Sequence, residues 1–353
     1  MDAHKASRSC PDAGPRREAG HFSLLQAFPV VLYTLDAWEV FDPASALWSI
    51  VEALAGRPLH LLVGATWTLE QANNREHHVS GIRTITESLE GVTITTCCTK
   101  AEMAVLQAEG LTPLHCSNNA LVREDLFVPL TGRDPTFDAI YDAKWADYKR
   151  HHLAGGIRSL ALLAGPSGNP LQDATVAHGL HALAAVRHAT WIRRPWTDDS
   201  EWLSLEEVNA AYNRARVGLC LSSVEGPMYA SIQYLLAGLP VVTTRNLGGR
   251  DEFFDPAYTR WVDDGPDAVA GAVAELIELD LDPWMIREAT LSKMAAHRSR
   301  MQEWMCDLIE SEGGDLGRWG GEWPQGLRNK LIEPVSSAAD VIAEINAASA
   351  FGR

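Results

Sequence analysis

The stretch from Leu203 to Thr244, LSLEEVNAAYNRARVGLCLSSVEGPMYASIQYLLAGLPVVTT, constrains the fold more than any other part of the chain. It reads as helix, buried strand, glycine-bearing turn, helix and buried strand. The run Val217 to Ser222 is apolar and short enough for a parallel strand, and Ser223-Val224-Glu225-Gly226-Pro227 breaks it. The spacing predicts a helix from Pro227, whose missing N–H is harmless in a first turn. The free backbone N–H groups of Met228, Tyr229 and onward to Ser231, with the positive end of the helix dipole, would then face the carboxyl edge of the sheet. Open α/β folds bind anionic ligands there. Glu225 sits at the mouth of this site, and Gln233 lies two helical turns in.

Elsewhere the same alternation recurs. The first twenty residues are polar, with Pro, Gly and Arg, and read as a mobile arm (residues 1–20). FPVVLYTL (28–35) reads as a buried strand, SALWSIVEALAG as a helix ending at Gly56, and PLHLLVGATW as a further strand. After a polar loop, QANNREHHVSG, the alternation continues through VTITTCC, KAEMAVLQAEG and PLHCSN. Strands alternating with helices imply a parallel sheet, so residues 21–133 read as a first α/β domain. VREDLFVPLTGRDP serves as its linker to a second domain, residues 134–325. Helices follow from Pro283 to about Gly313, then a Gly/Trp-rich loop, GDLGRWGGEWPQG, and a last helix over Ala338 to Ala348 within residues 326–353.

Composition narrows the function classes. A chain of 353 residues is long enough for two α/β domains with sizeable cores. Its net charge of −16, with no block of Lys or Arg, sets nucleic acid aside as a partner. No apolar run reaches the roughly 18 residues of a membrane span, and the first residues lack an apolar signal core, so a cytoplasmic protein is expected. Six cysteines (Cys10, Cys97, Cys98, Cys116, Cys220, Cys306) show no CxxC pair, which points to reduced thiols rather than a disulfide frame or a zinc site.

The 203–244 stretch resembles the nucleotide-sugar-binding core of GT-B glycosyltransferases of the retaining, "glycosyl transferases group 1" kind. Their signature is a strand, Glu-Gly-x-x, a second Glu eight positions after the first, and Ala-x-Gly-x-Pro-Val-Val. The matching residues are Glu225, Gly226, Gln233, Ala237, Gly238, Pro240, Val241 and Val242, so one of the two carboxylates is an amide. A second match lies in FDAIYDAKWADYKRHHLAGG, where Lys144 and Lys149 take the places of the Arg and Lys that grip the donor diphosphate. Downstream, NLGGRDEFF (Asn246 to Phe254) matches a Gly-Gly-x-x-Glu loop, with Gly248 and Gly249 against the donor, and WVDDGPDAVAGAVAELIEL matches the segment closing the donor domain.

The resemblance implies an α/β chain of the GT-B class: two facing Rossmann-like domains with parallel sheets and a cleft between them, the first on the acceptor side and the second binding the donor. It implies a glycosyltransferase that moves a sugar, with retention and without metal or cofactor, from a nucleotide-diphosphate sugar to a small-molecule or glycan acceptor. Lys144, Lys149 and the helix N–H groups would stabilise the leaving diphosphate. Glu225 would orient the sugar and Gln233 the ribose; Gly226, Pro227, Met228 and Tyr229 would line the donor. The terminal helix of such chains often crosses back to the first domain. Bland readings stand beside this one: Glu225 as an acidic residue favoured by the helix dipole, Gln233 as a solvated helix residue, the lysines as surface charges, and Gly248 and Gly249 as an ordinary turn.

The first domain departs from the pattern, because its strand leads into LDAWEVFDP without the Gly-rich loop. His77 and His78, in the polar loop, and Asp36 and Trp38, at the end of the first strand, are the acceptor-side candidates. Arg150, His151 and His152 divide between an assisting role and a solvated face, and Trp191, Trp196 and Trp202 between sugar stacking and packing. The alternatives are a GT-B protein that binds a nucleotide sugar or glycan without transfer, and a sugar-nucleotide epimerase, which needs first-domain carboxylates that are not identifiable.

Overall fold

The apolar runs become strands whose alternate side chains enter opposite faces. The computed structural model describes residues 15–34, 37–54, 56–165, 176–193, 203–319 and 336–350. Its contacts divide the chain into two units, Met1–Leu121 with Ala295–Arg353, and Val122–Met294.

The first unit is built on a five-stranded sheet of β2 (Phe22–Ala27), β3 (Val30–Thr34), β4 (Leu59–Gly64), β5 (Val92–Cys98) and β6 (Leu114–His115), in that spatial order. From β3 onward the neighbours are parallel, as expected; β2 adds an antiparallel edge that the pattern did not announce. Val30 and Leu32 of β3 enter one core with Trp48, Ile50 and Leu54 of the Leu47–Leu54 helix and with Ala338, Val341 and Ile345 of the Ala338–Ala350 helix. Val31 and Tyr33 enter the other, against Met301, Met305 and Ile309 of the Pro283–Ser311 helix. Both faces are buried, which is why these strands read as continuous apolar runs. The C-terminal helix thus belongs to the first unit.

Three expectations for this part are corrected. Two pieces of the N-terminal arm are tied down: Ala19–Gly20 (β1) pairs antiparallel with Ser336–Ser337 (β13), and Arg16 reaches Glu52. Backbone pairing between two short polar segments leaves no apolar pattern to read. The polar loop QANNREHHVSG is the start of a helix, Ala72–Ser88, which buries His78, Val79, Ile82 and Ile85 at helical spacing. Residues 122–135 are a packed segment of the second unit: Val128 and Leu130 N–H groups donate to the Asn209 and Asn213 side chains at 3.1 and 2.8 Å.

The second unit carries a wholly parallel six-stranded sheet. In chain order its strands are β7 (Phe137–Asp142), β8 (Leu160–Leu163), β9 (Thr190–Arg193), β10 (Ala215–Cys220), β11 (Val241–Thr244) and β12 (Thr259–Val262); in space they run β12-β11-β10-β7-β8-β9. Counted within the unit this is the 3-2-1-4-5-6 order of the Rossmann fold, with its topological switch between β7 and β10. A capping box starts the Leu205–Asn213 helix, in which the Ser204 side chain accepts from Glu207 N–H and Glu207 returns the bond.

Candidate active site

The loops after β7, β10 and β11 are laced to one another by backbone. Ser223 N–H donates to the Tyr148 carbonyl at 2.9 Å, Leu247 N–H to Ser223 at 3.0 Å, and Glu225 N–H to Leu247 at 3.0 Å. Lys149 and Glu225 are thereby brought face to face at the switch point, and their side chains form an ion pair. At 5 % and 7 % exposure both charges are withdrawn from bulk water, where their attraction is strong but desolvation is costly. The Lys149 ammonium also lies 5.3 Å from the centre of the Tyr148 ring.

Two arginines hold this lacing. Arg150 adopts the left-handed conformation (φ 53°, ψ 46°), which costs a non-glycine residue roughly 1–2 kcal/mol. Its guanidinium offsets that by donating to the Leu221 carbonyl (2.7 Å), Thr244 Oγ1 (2.6 Å) and Asp264 (2.6 Å), so it joins the loops after three strands. A solvated role for Arg150 is thus corrected. Arg250 is wholly buried: it donates to Asp251 (2.7 Å), Thr243 Oγ1 (2.6 Å), the Thr244 carbonyl (2.7 Å), and both the carbonyl and hydroxyl of Ser222 (2.7 and 3.1 Å). Just before it, Gly248 has φ 118° and ψ −174°, a region essentially closed to other residues. Gly248 is thus a geometric requirement of the loop.

The helix after β10 spans Tyr229–Leu236, with Met228 as its N-cap. It begins two residues later than the sequence led one to expect, and Pro227 lies before it. Ser231 N–H is already bonded to the Met228 carbonyl at 3.1 Å, so the Tyr229 and Ala230 N–H groups head the helix. Gly226 and Met228 are buried beside them, and Tyr229 is partly buried.

Beneath this helix lies a polar network that sequence reading missed. Asp142 closes β7. Its N–H donates to Tyr234 Oη at 2.6 Å, and its Oδ2 accepts from Tyr212 Oη at 2.5 Å. Tyr212 Oη is also 3.1 Å from the Gln233 side chain. A hydroxyl has one proton and the carboxylate takes it, so the Gln233 amide fits best with its NH2 turned to the Tyr212 oxygen. Gly218 makes room: a Cβ there would lie 2.5 Å from the Tyr234 ring. Burial raises the Asp142 carboxyl to about 6, opposed by the Tyr212 hydrogen bond and by the Lys149 and Arg193 charges. The one visible signal was an acid closing an apolar strand.

The other candidates fall as follows. Lys144 is exposed, with no ion pair among the described residues. His78 is buried, its Nε2 2.8 Å from Thr96 Oγ1, and desolvation lowers it to about 4. His77 is exposed on the same helix with its ring edge-on to Phe41 at 5.7 Å. Both follow from the loop being a helix. Trp38 falls on the short Ala37–Phe41 helix, its side chain beyond what is described; Asp36, Trp196 and Trp202 lie outside the described residues. His151 is buried between Tyr141 and Trp145, with ring centres at 4.9 and 4.4 Å. The described cysteines are free thiols, four of them buried. No described helix is long and apolar enough to cross a membrane.

Neither family models nor curated protein sequences match this chain. Solved structures do. HepE of Anabaena in complex with UDP matches at TM-score 0.54 and 12 % identity, over 80 % of this chain and 78 % of that one. Sucrose-phosphate synthase of Thermosynechococcus elongatus matches at TM-score 0.52 and 14 % identity, over 80 % and 74 %. A glycosyltransferase of Rickettsia africae matches at TM-score 0.52 and 12 % identity, over 80 % and 76 %. At such identities the likeness shows the fold, which is that of GT-B type glycosyltransferases, as the motifs led one to expect.

Proposed function

We propose that this chain is a glycosyltransferase that takes a sugar from a nucleoside-diphosphate donor bound in the second unit to a small-molecule or glycan acceptor. The observation that carries the reading is the buried Lys149–Glu225 pair at the switch point, beside the head of the Tyr229–Leu236 helix and the Gly248-Gly249 loop. Cleavage of the anomeric C–O bond puts negative charge on a departing diphosphate. Lys149 and the helix N–H groups are the groups that would stabilise it, without a metal. Glu225, an acceptor-only group when ionised, would take hydrogen bonds from the sugar hydroxyls. With retention, the acceptor attacks the face the phosphate leaves and a phosphate oxygen takes its proton, so no protein base is needed. HepE has also been solved with UDP-glucose, which makes uridine diphosphate sugars the first donors to try.

A second reading, nucleotide-sugar binding without transfer, is favoured by the exposure of Lys144 and by the amide at Gln233. The epimerase reading draws no support from the site. A panel of nucleotide sugars screened for thermal stabilisation, followed by product analysis with acceptor sugars, separates the readings. Transfer is expected to survive excess chelator. If chelation abolishes it and magnesium or manganese restores it, the lysine-and-helix account of leaving-group stabilisation is wrong.

A further inference from the structure

The carboxylate that position 233 lacks has a counterpart on another element. Asp142 lies at the carboxyl end of β7, one of the two strands flanking the switch point, and shares a strand face with the buried Ile140. Its backbone is pinned by Tyr234 and its Oδ2 by Tyr212, while its Oδ1 has no hydrogen-bond partner among the described residues. Tyr212 bridges it to Gln233. A structural anchor for Tyr212 needs no charge, since a neutral amide oxygen accepts the same hydroxyl proton. A partly buried carboxylate held rigid, with one oxygen unbonded among the described residues, is instead suited to accept hydrogen bonds from a ligand's hydroxyl groups.

We propose that Asp142 is a donor-binding residue: with Gln233 it receives the vicinal hydroxyls of the donor's ribose, supplying from β7 the carboxylate that the helix does not. The proposal rests on the nucleotide-sugar reading. It moves the acid from one wall of the subsite to the other, with Tyr212 holding the acid and the amide in register.

The test compares ribo- and 2′-deoxyribonucleoside diphosphates (UDP with dUDP, GDP with dGDP, ADP with dADP) by calorimetric titration of the full chain. The wild type should prefer the ribo form of the nucleotide it binds by about tenfold or more, the usual worth of one hydrogen bond to a charged group. Asp142→Asn should bring that preference to within about threefold by weakening the ribo form alone. Asp142→Asn/Gln233→Glu should restore it. A wild-type preference in Asp142→Asn overturns the proposal, as does equal weakening of both forms, which is what a merely structural carboxylate would give. Binding of none of the six nucleotides by the wild type overturns the nucleotide reading itself, and the proposal with it.

Discussion

A carboxylate kept partly buried against Tyr212 and Tyr234 for binding should cost stability, and Asp142→Asn measures that cost. Burial raises the Asp142 carboxyl from 3.8 to about 6. Above that value the folded protein carries a charge it disfavours. As pH falls from about 6 towards 4, the folded chain takes up a proton at Asp142 that the unfolded chain still lacks, so the contribution of Asp142 to wild-type stability rises through this window and levels off below it. About two pKa units at 1.36 kcal/mol each give about 3 kcal/mol. Asparagine mimics the neutral acid in size and still accepts from Tyr212. The variant should therefore be more stable than wild type by about 3 kcal/mol near pH 8, and the gain should fade towards zero near pH 4. Lys149, Arg193, Tyr212 and Tyr234 surround the group and are common to both proteins, so the difference isolates Asp142. Urea unfolding followed by tryptophan fluorescence at the two pH values supplies the measurement. A gain of equal size at both pH values, or none near pH 8, would refute the reasoning.

Lys149→Ala should lower transfer by about 100- to 1,000-fold, with Lys149→Arg milder, in a product assay on confirmed folded protein; near-normal turnover removes Lys149 from the mechanism. Gly248→Ala should destabilise the second unit by roughly 1–3 kcal/mol, because its backbone conformation is all but closed to a residue with a Cβ. His78, depressed from 6.5 to about 4 by burial, acts opposite to Asp142: the unfolded chain protonates first, so stability is lost as pH falls from 6.5 towards 4, by about 3 kcal/mol. His78→Gln should flatten that acid limb in urea unfolding, and an unchanged slope would show that His78 does not titrate in this way.

The parts governed by local rules are legible in the amino-acid sequence. Short apolar runs bounded on at least one side by Gly or Pro predicted β3, β4, β5, β10 and β11, and the 203–244 motif placed Glu225 at a strand end facing a helix. These succeed because strand burial, chain reversal and helix initiation depend on neighbouring residues. Other features depend on residues far apart in the chain. β1 and β13 pair across more than 300 positions, Ala19 with Ser337 and Gly20 with Ser336, and neither has an apolar pattern to betray it. Arg250, read only as a loop residue, became a buried clamp because acceptors from Ser222, Thr243 and Thr244 converge on it. His78 looked like a loop histidine until Thr96 on β5 closed over it. Asp142, Tyr212 and Gln233 span 91 positions, 233 less 142, and only the parallel stacking of β7 beside β10 brings them together. A hydrogen-bond network is set by where side chains end up in space, and in a parallel sheet that is decided by strand order, which no local pattern records.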